Sequence, residues 1–132
     1  MTNWYHALPE ATKKRITING HTDNAALRDL YCTARIVVCT SFSESAHIVS
    51  AEALCCGCSI VVSNRPKRLR NILWYTTKNS GTISAEDTPE SLAEAIRHEL
   101  QLWESGQRDP QAIDHAWQPH FHADKVFNTI FS

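Results

Sequence analysis

Two short, unbroken runs of mostly β-branched apolar residues constrain the fold of this chain most strongly. RIVVC spans residues 35–39 and CSIVVS spans residues 58–63. A strand that is covered on both faces reads as a continuous apolar run, whereas a strand with one solvated face alternates apolar and polar residues. Residues 46–56, between the two runs, carry apolar and small side chains at helical spacing and are followed by Gly57. This order of strand, helix and strand predicts an α/β fold with a parallel sheet.

Two weaker segments extend the predicted sheet. RITIN, residues 15–19, is rich in β-branched residues and is closed by Gly20, and SGTIS, residues 80–84, has a weaker strand pattern. We therefore expect a Rossmann-like three-layer sandwich with a short parallel sheet of about four strands. In this sheet the 35–39 strand lies between the 15–19 and 58–62 strands, and the 80–84 strand lies beyond 58–62.

Start and stop residues predict helices around these strands. Thr88, Pro89 and Glu90 form a strong helix start, because Thr caps free N–H groups, Pro suits the first position and Glu favours the first turn. That helix stops at Gly106. The other predicted helices begin at HTDN (residues 21–24), span KRLRNILWY (residues 67–75), or lie near 123–131, where Val126, Phe127, Ile130 and Phe131 pack onto the body.

The composition narrows the class of function. A chain of 132 residues is long enough for one domain with a real core. Thirteen basic and fourteen acidic residues are mixed along it, and a net charge of −1 gives no electrostatic case for binding nucleic acid or an anionic membrane. No apolar run is long enough for a transmembrane helix, and the first residues lack a signal pattern. Five cysteines, three of them within residues 55–58, fit a reducing, cytoplasmic setting with free thiols.

Two carboxylates flank the helix between the apolar runs. Glu44 lies at the predicted strand-to-helix turn, and Glu52 lies eight residues further on. Eight helical residues rise ~12 Å and end about 80° from a full repeat, so the two carboxylates share a broad face without touching. The helix N-terminus between them offers free N–H groups to a phosphate. The pattern fits a nucleotide sugar, but the spacing alone favours the ordinary interpretation, in which Glu44 is a cap-region acid and Glu52 is an exposed helix residue.

The segment from Ser41 to Val62 resembles the signature of the retaining family 4 glycosyltransferases, in the C-terminal half of their two-Rossmann (GT-B) architecture. That signature is a Ser, then Glu-x7-Glu, then Ala, small residues, Gly and a Val-rich strand. The likeness continues through ITINGHTDNAALRDLYCTARIVVCTS and SGTISAEDTPESLAEAI, so it covers about residues 15–105. By this resemblance, residues 1–132 form a single partial GT-B C-terminal domain, with 1–14 and 107–132 peripheral. The matching residues are Ser41, Glu44, Glu52, Ala53-Leu54-Cys55-Cys56-Gly57 and Ser59-Ile60-Val61-Val62.

The resemblance implies the donor-binding part of a retaining glycosyltransferase, which moves a hexosyl group from a nucleotide diphosphate sugar to an acceptor. It assigns Glu44 to the hydroxyls of the donor sugar, as the catalytic residue, and Glu52 to the ribose. It implies no bound divalent ion and no cofactor, and the chain contains no Asp-x-Asp motif. The other donor-binding residues that it implies are Gly20 and His21 near the nucleobase, Ser41, and Ser45, Ala46, His47 and Ile48 beside the sugar and diphosphate.

Two departures from the family pattern bear on activity. Where the family has Gly-Phe-Gly after the first Glu, this chain has Ser45-Ala46-His47, and glycine permits backbone angles and close approach that other residues resist. The C-terminal half of the family opens with two further strands, and the fourteen residues that precede Arg15 here are too few for a strand–helix–strand unit. We therefore expect a piece of an enzyme with a separate or lost N-terminal acceptor-binding domain, and little transfer by the chain alone. A homo-oligomer is compatible with the sequence, and the alternative is a non-catalytic remnant or interaction module of the same fold.

Other clusters have both a functional and a plainer interpretation. The basic run over residues 65–70 could replace phosphate ligands, but a solvated helix face is the more common role of such a run. The cysteines of residues 55–58 lack zinc spacing, which favours packing in the core. His47 could bind a donor hydroxyl or phosphate, or fill space at the helix start, and the sequence leaves both open. Three other histidines could be metal ligands, but they lack zinc spacing. We therefore expect them at the surface around Trp117; they are His115, His120 and His122.

Overall fold

The computed structural model describes residues 3–41, 47–64 and 70–121. Within these ranges the helices and strands alternate along most of the chain. In chain order they are α1 (Asn3–His6), α2 (Glu10–Lys13), α3 (Asn24–Thr33), β1 (Ile36–Cys39), α4 (Ile48–Cys55), β2 (Ser59–Val62), α5 (Arg70–Tyr75), β3 (Gly81–Ile83), α6 (Pro89–Glu104) and α7 (Pro110–Phe121).

The three strands form one parallel sheet in the order β1-β2-β3. Val38 of β1 is in register with Val61 of β2, and Val62 of β2 is in register with Ile83 of β3. All four residues of the central strand are buried, as the unbroken apolar run predicts. The predicted parallel sheet, with the 58–62 strand between those at 35–39 and 80–84, is confirmed.

Helices cover both faces of this sheet. Ser59 of β2 accepts a hydrogen bond from the indole Nε1 of Trp103 on α6, at 2.9 Å. Ile60 and Val62 instead pack into a core with residues of α4, α5 and α7. Because successive side chains of a strand point to opposite faces, α6 covers one face and the other three helices cover the opposite face. The buried core consists of Cys39, Ala53, Leu54, Cys58, Ile60, Val62, Ile72, Tyr75, Ile113 and Trp117.

The predicted strand over residues 15–19 is wrong. The amide N–H groups of Arg15 and Ile16 donate to the carbonyl oxygens of Thr12 and Lys13, both at 3.0 Å, so the segment starts as a turn that continues from α2. The rest of it is exposed, including Ile18. A β-branched segment forms a stable strand where it pairs with a neighbour and buries a face, and in the structure residues 15–19 pair with none of the three strands and remain largely exposed. The described sheet therefore has three strands instead of four.

Local signals place two of the helix starts. The Asp23 carboxylate accepts the N–H of Ala26 at 2.8 Å and caps α3. The Thr88 hydroxyl accepts the N–H of Ser91 at 3.2 Å and caps α6, with Pro89 at the first helical position. Both starts are those predicted from the sequence, because each needs only residues within one turn.

The sequence does not predict α7, which follows Asp109. Its inward face is carried by Ile113 and Trp117, one turn apart, and both are buried against the core. His115 and His120 are exposed, as the sequence predicts, whereas Trp117 beside them is buried. The predicted helix near 123–131 lies outside the described residues.

A buried ion pair between Glu99 and Arg108 connects α6 with the amino-terminal end of β3. Glu99 is fully buried, and its carboxylate accepts hydrogen bonds from Arg108 Nε at 2.5 Å and Nη2 at 3.0 Å, and from the Thr82 hydroxyl at 2.6 Å. Arg108 Nη1 also donates to the Lys78 carbonyl at 2.8 Å. Burial raises the pKa of the Glu99 carboxyl, but the hydrogen bonds from Arg108, Thr82 and Ser59 and the charge of Arg108 outweigh it, so the pKa lies below its ordinary value.

Candidate functional site

The site predicted from the sequence lies at the carboxyl ends of the strands. Ser41 follows β1 by two residues and is partly buried, and His47 immediately precedes the first residue of α4. Helix α4 therefore points its N-terminus towards this edge of the sheet, where ligands bind in parallel α/β folds. Glu44, Ser45 and Ala46 lie outside the described residues, so the catalytic role of Glu44 stays a prediction.

His47 adopts a left-handed backbone conformation, with φ 45° and ψ 55°. It is only 5% exposed, and its Nδ1 lies 2.7 Å from the hydroxyl oxygen of Ser50. That oxygen lies 3.4 Å from the sulfur of Cys39 at the end of β1. The imidazole is thus turned into the protein, where it fills space and fixes the start of α4. Of the two interpretations that the sequence leaves open for His47, the packing role is the one this geometry supports.

The first turn of α4 also supplies backbone donors. The N–H groups of Ile48 and Val49 stand at the start of the helix, where no carbonyl four residues earlier belongs to it. The Ile48 side chain is exposed and lies away from the core. Any role of Ile48 towards a ligand therefore rests on its backbone N–H, which is the contact that the resemblance implies.

Glu52 lies in a cleft of about 240 Å³ between α3 and α4. Tyr31 of α3 lines the same cleft. Burial raises the pKa of the Tyr31 hydroxyl, and the neighbouring Glu52 carboxylate raises it further. Glu52 itself is exposed, and a carboxylate has about four lone-pair sites, so it has acceptor capacity for a ligand. The residues lining the cleft are Asn24, Leu27, Arg28, Tyr31, Glu52, Cys55 and Cys56.

Gly20 and His21 lead directly into this cleft. Both are exposed, and the Thr22 hydroxyl donates to the Gly20 carbonyl at 3.1 Å, which shapes the turn before α3. Asn24, the first residue of α3, lines the cleft that contains Glu52. The structure therefore places the predicted nucleobase loop at the end of the helix that forms one wall of the predicted ribose site.

Tyr31 is a site residue that the sequence analysis places on α3 but does not assign to the site. Leu27 and Tyr31 are four residues apart on one helix, which sets them on the same face. Both line the Glu52 cleft. The Leu-x-x-Leu-Tyr spacing on α3 could have indicated this, had the packing of α3 against α4 been known.

The cysteines are all free thiols. Cys58 is buried and its sulfur donates to the Tyr31 carbonyl at 3.0 Å, and burial raises its pKa to about 11. Cys55 and Cys56 are partly buried, and burial raises the pKa of Cys56 to about 12, with further contributions from Cys32. In the described part of the chain, no three His, Cys, Asp or Glu side chains converge to hold a metal ion. The basic residues at 65–69 lie outside the described residues.

A match to a known protein family agrees with this α/β fold. Residues 2–101 match the sequence model of the family described as "Glycosyl transferases group 1". The chain is also 27% identical over 116 residues to an error-prone DNA polymerase of Rhodopseudomonas palustris. That alignment covers 83% of this chain and 10% of the polymerase, so the activity in the name belongs to a protein about ten times as long as the matched part. In the described residues no helix is both long and apolar enough to cross a membrane.

Proposed function

Because the chain belongs to the group 1 glycosyltransferases, we propose that it holds the nucleotide diphosphate sugar from which a hexosyl group passes to an acceptor. The observation that carries the proposal is the Glu52 cleft. There the exposed Glu52 carboxylate lies beside Tyr31, in a cleft between α3, which follows the nucleobase loop, and α4, whose N-terminus meets the carboxyl end of the sheet. Carboxylates suit vicinal hydroxyls, and helix N-termini suit phosphates, so the cleft and the helix start together match a nucleoside diphosphate.

In the proposed complex the nucleoside lies along the α3–α4 cleft. Glu52 accepts hydrogen bonds from the ribose hydroxyls, and the loop at Gly20 and His21 borders the base. The diphosphate lies at the start of α4, where the backbone N–H groups of Ile48 and Val49 and the positive end of the helix dipole offset its charge. The sugar lies beyond it, next to Glu44, and we propose that transfer proceeds with retention of the anomeric configuration.

The proposal is tested by titration calorimetry with UDP, ADP, GDP and their glucose conjugates. The wild type should bind at least one nucleoside diphosphate. Glu52→Gln should weaken both the diphosphate and the sugar conjugate by roughly ten- to a hundredfold, because it removes charge-assisted hydrogen bonds to hydroxyls. Glu44→Gln should weaken only the sugar conjugate.

Glu94→Gln is the matched control, since Glu94 is an exposed acid on α6, on the opposite face of the sheet. It should bind like the wild type. If the wild type binds no nucleotide at millimolar concentration, the chain is a non-catalytic remnant of the fold. If Glu94→Gln weakens binding as much as Glu52→Gln, the carboxylate acts only through overall charge.

A further inference from the structure

A second pocket, of about 510 Å³, lies between α5 and α7. Its residues come from the α5–β3 loop, the α6–α7 loop and the facing sides of the two helices. None of the described residues that line it also lines the Glu52 cleft. The two loops meet at the amino-terminal edge of the sheet, where Arg108 Nη1 donates to the Lys78 carbonyl at 2.8 Å. The pocket therefore opens at the other end of the sheet from the predicted donor site.

The pocket wall is aromatic. Trp117 of α7 is buried and faces Trp74 of α5, with ring centroids 5.3 Å apart and planes at 88°. His120 lies 5.6 Å from both rings. Trp74 is nevertheless 53% exposed, although a tryptophan of a globular domain normally buries most of its surface. Packing against the buried Trp117 thus fixes the half-exposed indole of Trp74 at the side of the pocket.

The pocket rim is polar, and its side chains can both donate and accept hydrogen bonds. Asn79 comes from the α5–β3 loop, and Gln107 and Asp109 come from the α6–α7 loop. The Gln107 side-chain amide donates to the Ser105 hydroxyl at 3.0 Å, which holds it in place. Asp109 Oδ1 accepts the N–H of Gln111 at 2.9 Å, so the carboxylate is fixed while further lone pairs remain for a ligand.

We propose that this pocket binds a neutral saccharide. The apolar face of a pyranose ring packs on an indole, and its hydroxyls pair with amide and carboxylate groups such as those of Asn79, Gln107 and Asp109. Its volume lies within the range of ~300–1,000 Å³ that is typical of small-molecule sites. The inference is independent of the nucleotide proposal, since it concerns other residues at the opposite edge of the sheet.

The charge and shape of the pocket argue against other ligand classes. The described lining contains the carboxylate of Asp109 and no Lys or Arg, which disfavours nucleotides and other phosphates. Cationic ligands such as quaternary ammonium groups prefer a cage of several open aromatic faces. Here Trp117 is buried and packs at right angles to Trp74, so one half-exposed indole remains instead of a cage.

The experiment is a titration of the full chain with neutral trisaccharides of glucose, mannose, galactose and N-acetylglucosamine, followed by tryptophan fluorescence and calorimetry. At least one trisaccharide should bind and change the fluorescence. Trp74→Ala should weaken its binding by about tenfold, and Asp109→Asn by about threefold to tenfold. The control is Trp4→Ala, because Trp4 is equally exposed at 55% and lies on α1, outside the pocket. Binding to Trp4→Ala and to Glu52→Gln should be unchanged, and circular dichroism verifies that each variant is folded.

Three results would overturn the proposal. The first is that none of the four trisaccharides binds at millimolar concentration. The second is that Trp4→Ala weakens binding as much as Trp74→Ala, which would mean non-specific contact with exposed aromatics. The third is that tetramethylammonium binds in the pocket and the saccharides do not.

Discussion

Tyr31 on α3 and Glu52 on α4 line the same cleft, and burial together with the charge of the Glu52 carboxylate raises the pKa of the Tyr31 hydroxyl. Tyr31 is partly buried and Glu52 is exposed. A solvent-accessible carboxylate on α4 therefore lies beside a partly buried phenol on α3 at the proposed ribose site.

This arrangement should make stability depend on pH in the alkaline range. Burial and Glu52 raise the pKa of Tyr31 above its ordinary value of 10.0, so its protonated form is favoured in the folded state. The resulting stabilisation is fully present below pH 10.0 and is lost as pH rises through the folded-state pKa. Urea unfolding at neutral and alkaline pH measures it. Tyr31→Phe should lose less stability than the wild type over this range, and parallel curves for the two proteins would contradict the account.

Replacement of His47 should reveal the cost of its left-handed backbone. His47→Ala keeps φ near 45° and loses the hydrogen bond to Ser50, whereas His47→Gly loses the same bond but relieves the strain. We expect the glycine variant to be more stable than the alanine variant by about 1 kcal/mol. At Glu94, in the exposed interior of α6, the order should reverse, because alanine is the better helix former there. Equal stabilities of the two His47 variants, measured by denaturant unfolding, would argue against the strained conformation.

The buried Glu99–Arg108 pair should respond differently to single and double replacement. Glu99→Gln leaves the Arg108 charge buried without its partner and should cost about 3–5 kcal/mol, while Glu99→Leu with Arg108→Met should cost less than either single change. Because the folded-state pKa of Glu99 is lowered, its stabilisation is present above pH 4.5 and is lost as pH falls through the folded-state value. The difference between the wild type and Glu99→Gln should therefore shrink in acid. A difference that is constant with pH would show that the Glu99 carboxyl has the same pKa in the folded and unfolded states, which would contradict the lowered value.

Two glycines offer a matched test of how α7 docks. Gly57 and Gly106 both have positive φ, at 83° and 73°. A Cβ on Gly57 would lie 2.7 Å from the Pro110 carbonyl at the start of α7, whereas a Cβ on Gly106 would meet no atom within 4 Å. Gly106→Ala should cost about 1 kcal/mol for strain alone, and Gly57→Ala about 2–4 kcal/mol, because α7 must also shift. Similar melting temperatures for the two variants would mean that α7 is not held against this turn.

The parts of the fold that the sequence predicts are those decided by local rules or by burial on both faces. The Asp23 and Thr88 caps depend on residues within one turn, and β2 is recognisable because all its residues are buried. The strand predicted over residues 15–19 is wrong because β-branched composition does not indicate whether the segment has a neighbouring strand to pair with. Helix α7 was missed because only Ile113 and Trp117 carry its inward face.

In the candidate site, too, the sequence predicts what local patterns determine and does not predict what tertiary packing determines. The spacing of the motif predicts Glu52 as a site residue, but its position beside Tyr31 depends on the packing of α3 against α4, which no local pattern contains. The left-handed conformation of His47 lies at a position where the family pattern has a glycine, so the pattern indicates the backbone geometry even though the residue differs. The Glu99–Arg108 pair escaped detection because it forms only when the α6–α7 loop folds back on β3.

The central claim is that Glu52 binds the ribose hydroxyls of a nucleoside diphosphate, and removal of those hydroxyls tests it most directly. Calorimetry compares a nucleoside diphosphate that binds with its 2′,3′-dideoxy counterpart, on the wild type and on Glu52→Gln. The wild type should prefer the ribonucleotide by roughly tenfold or more, since each charge-assisted hydrogen bond contributes about 1.5–3 kcal/mol. Glu52→Gln should lose most of that preference while binding the dideoxy ligand as the wild type does. A preference that is the same in both proteins would contradict the assignment of Glu52 to the ribose.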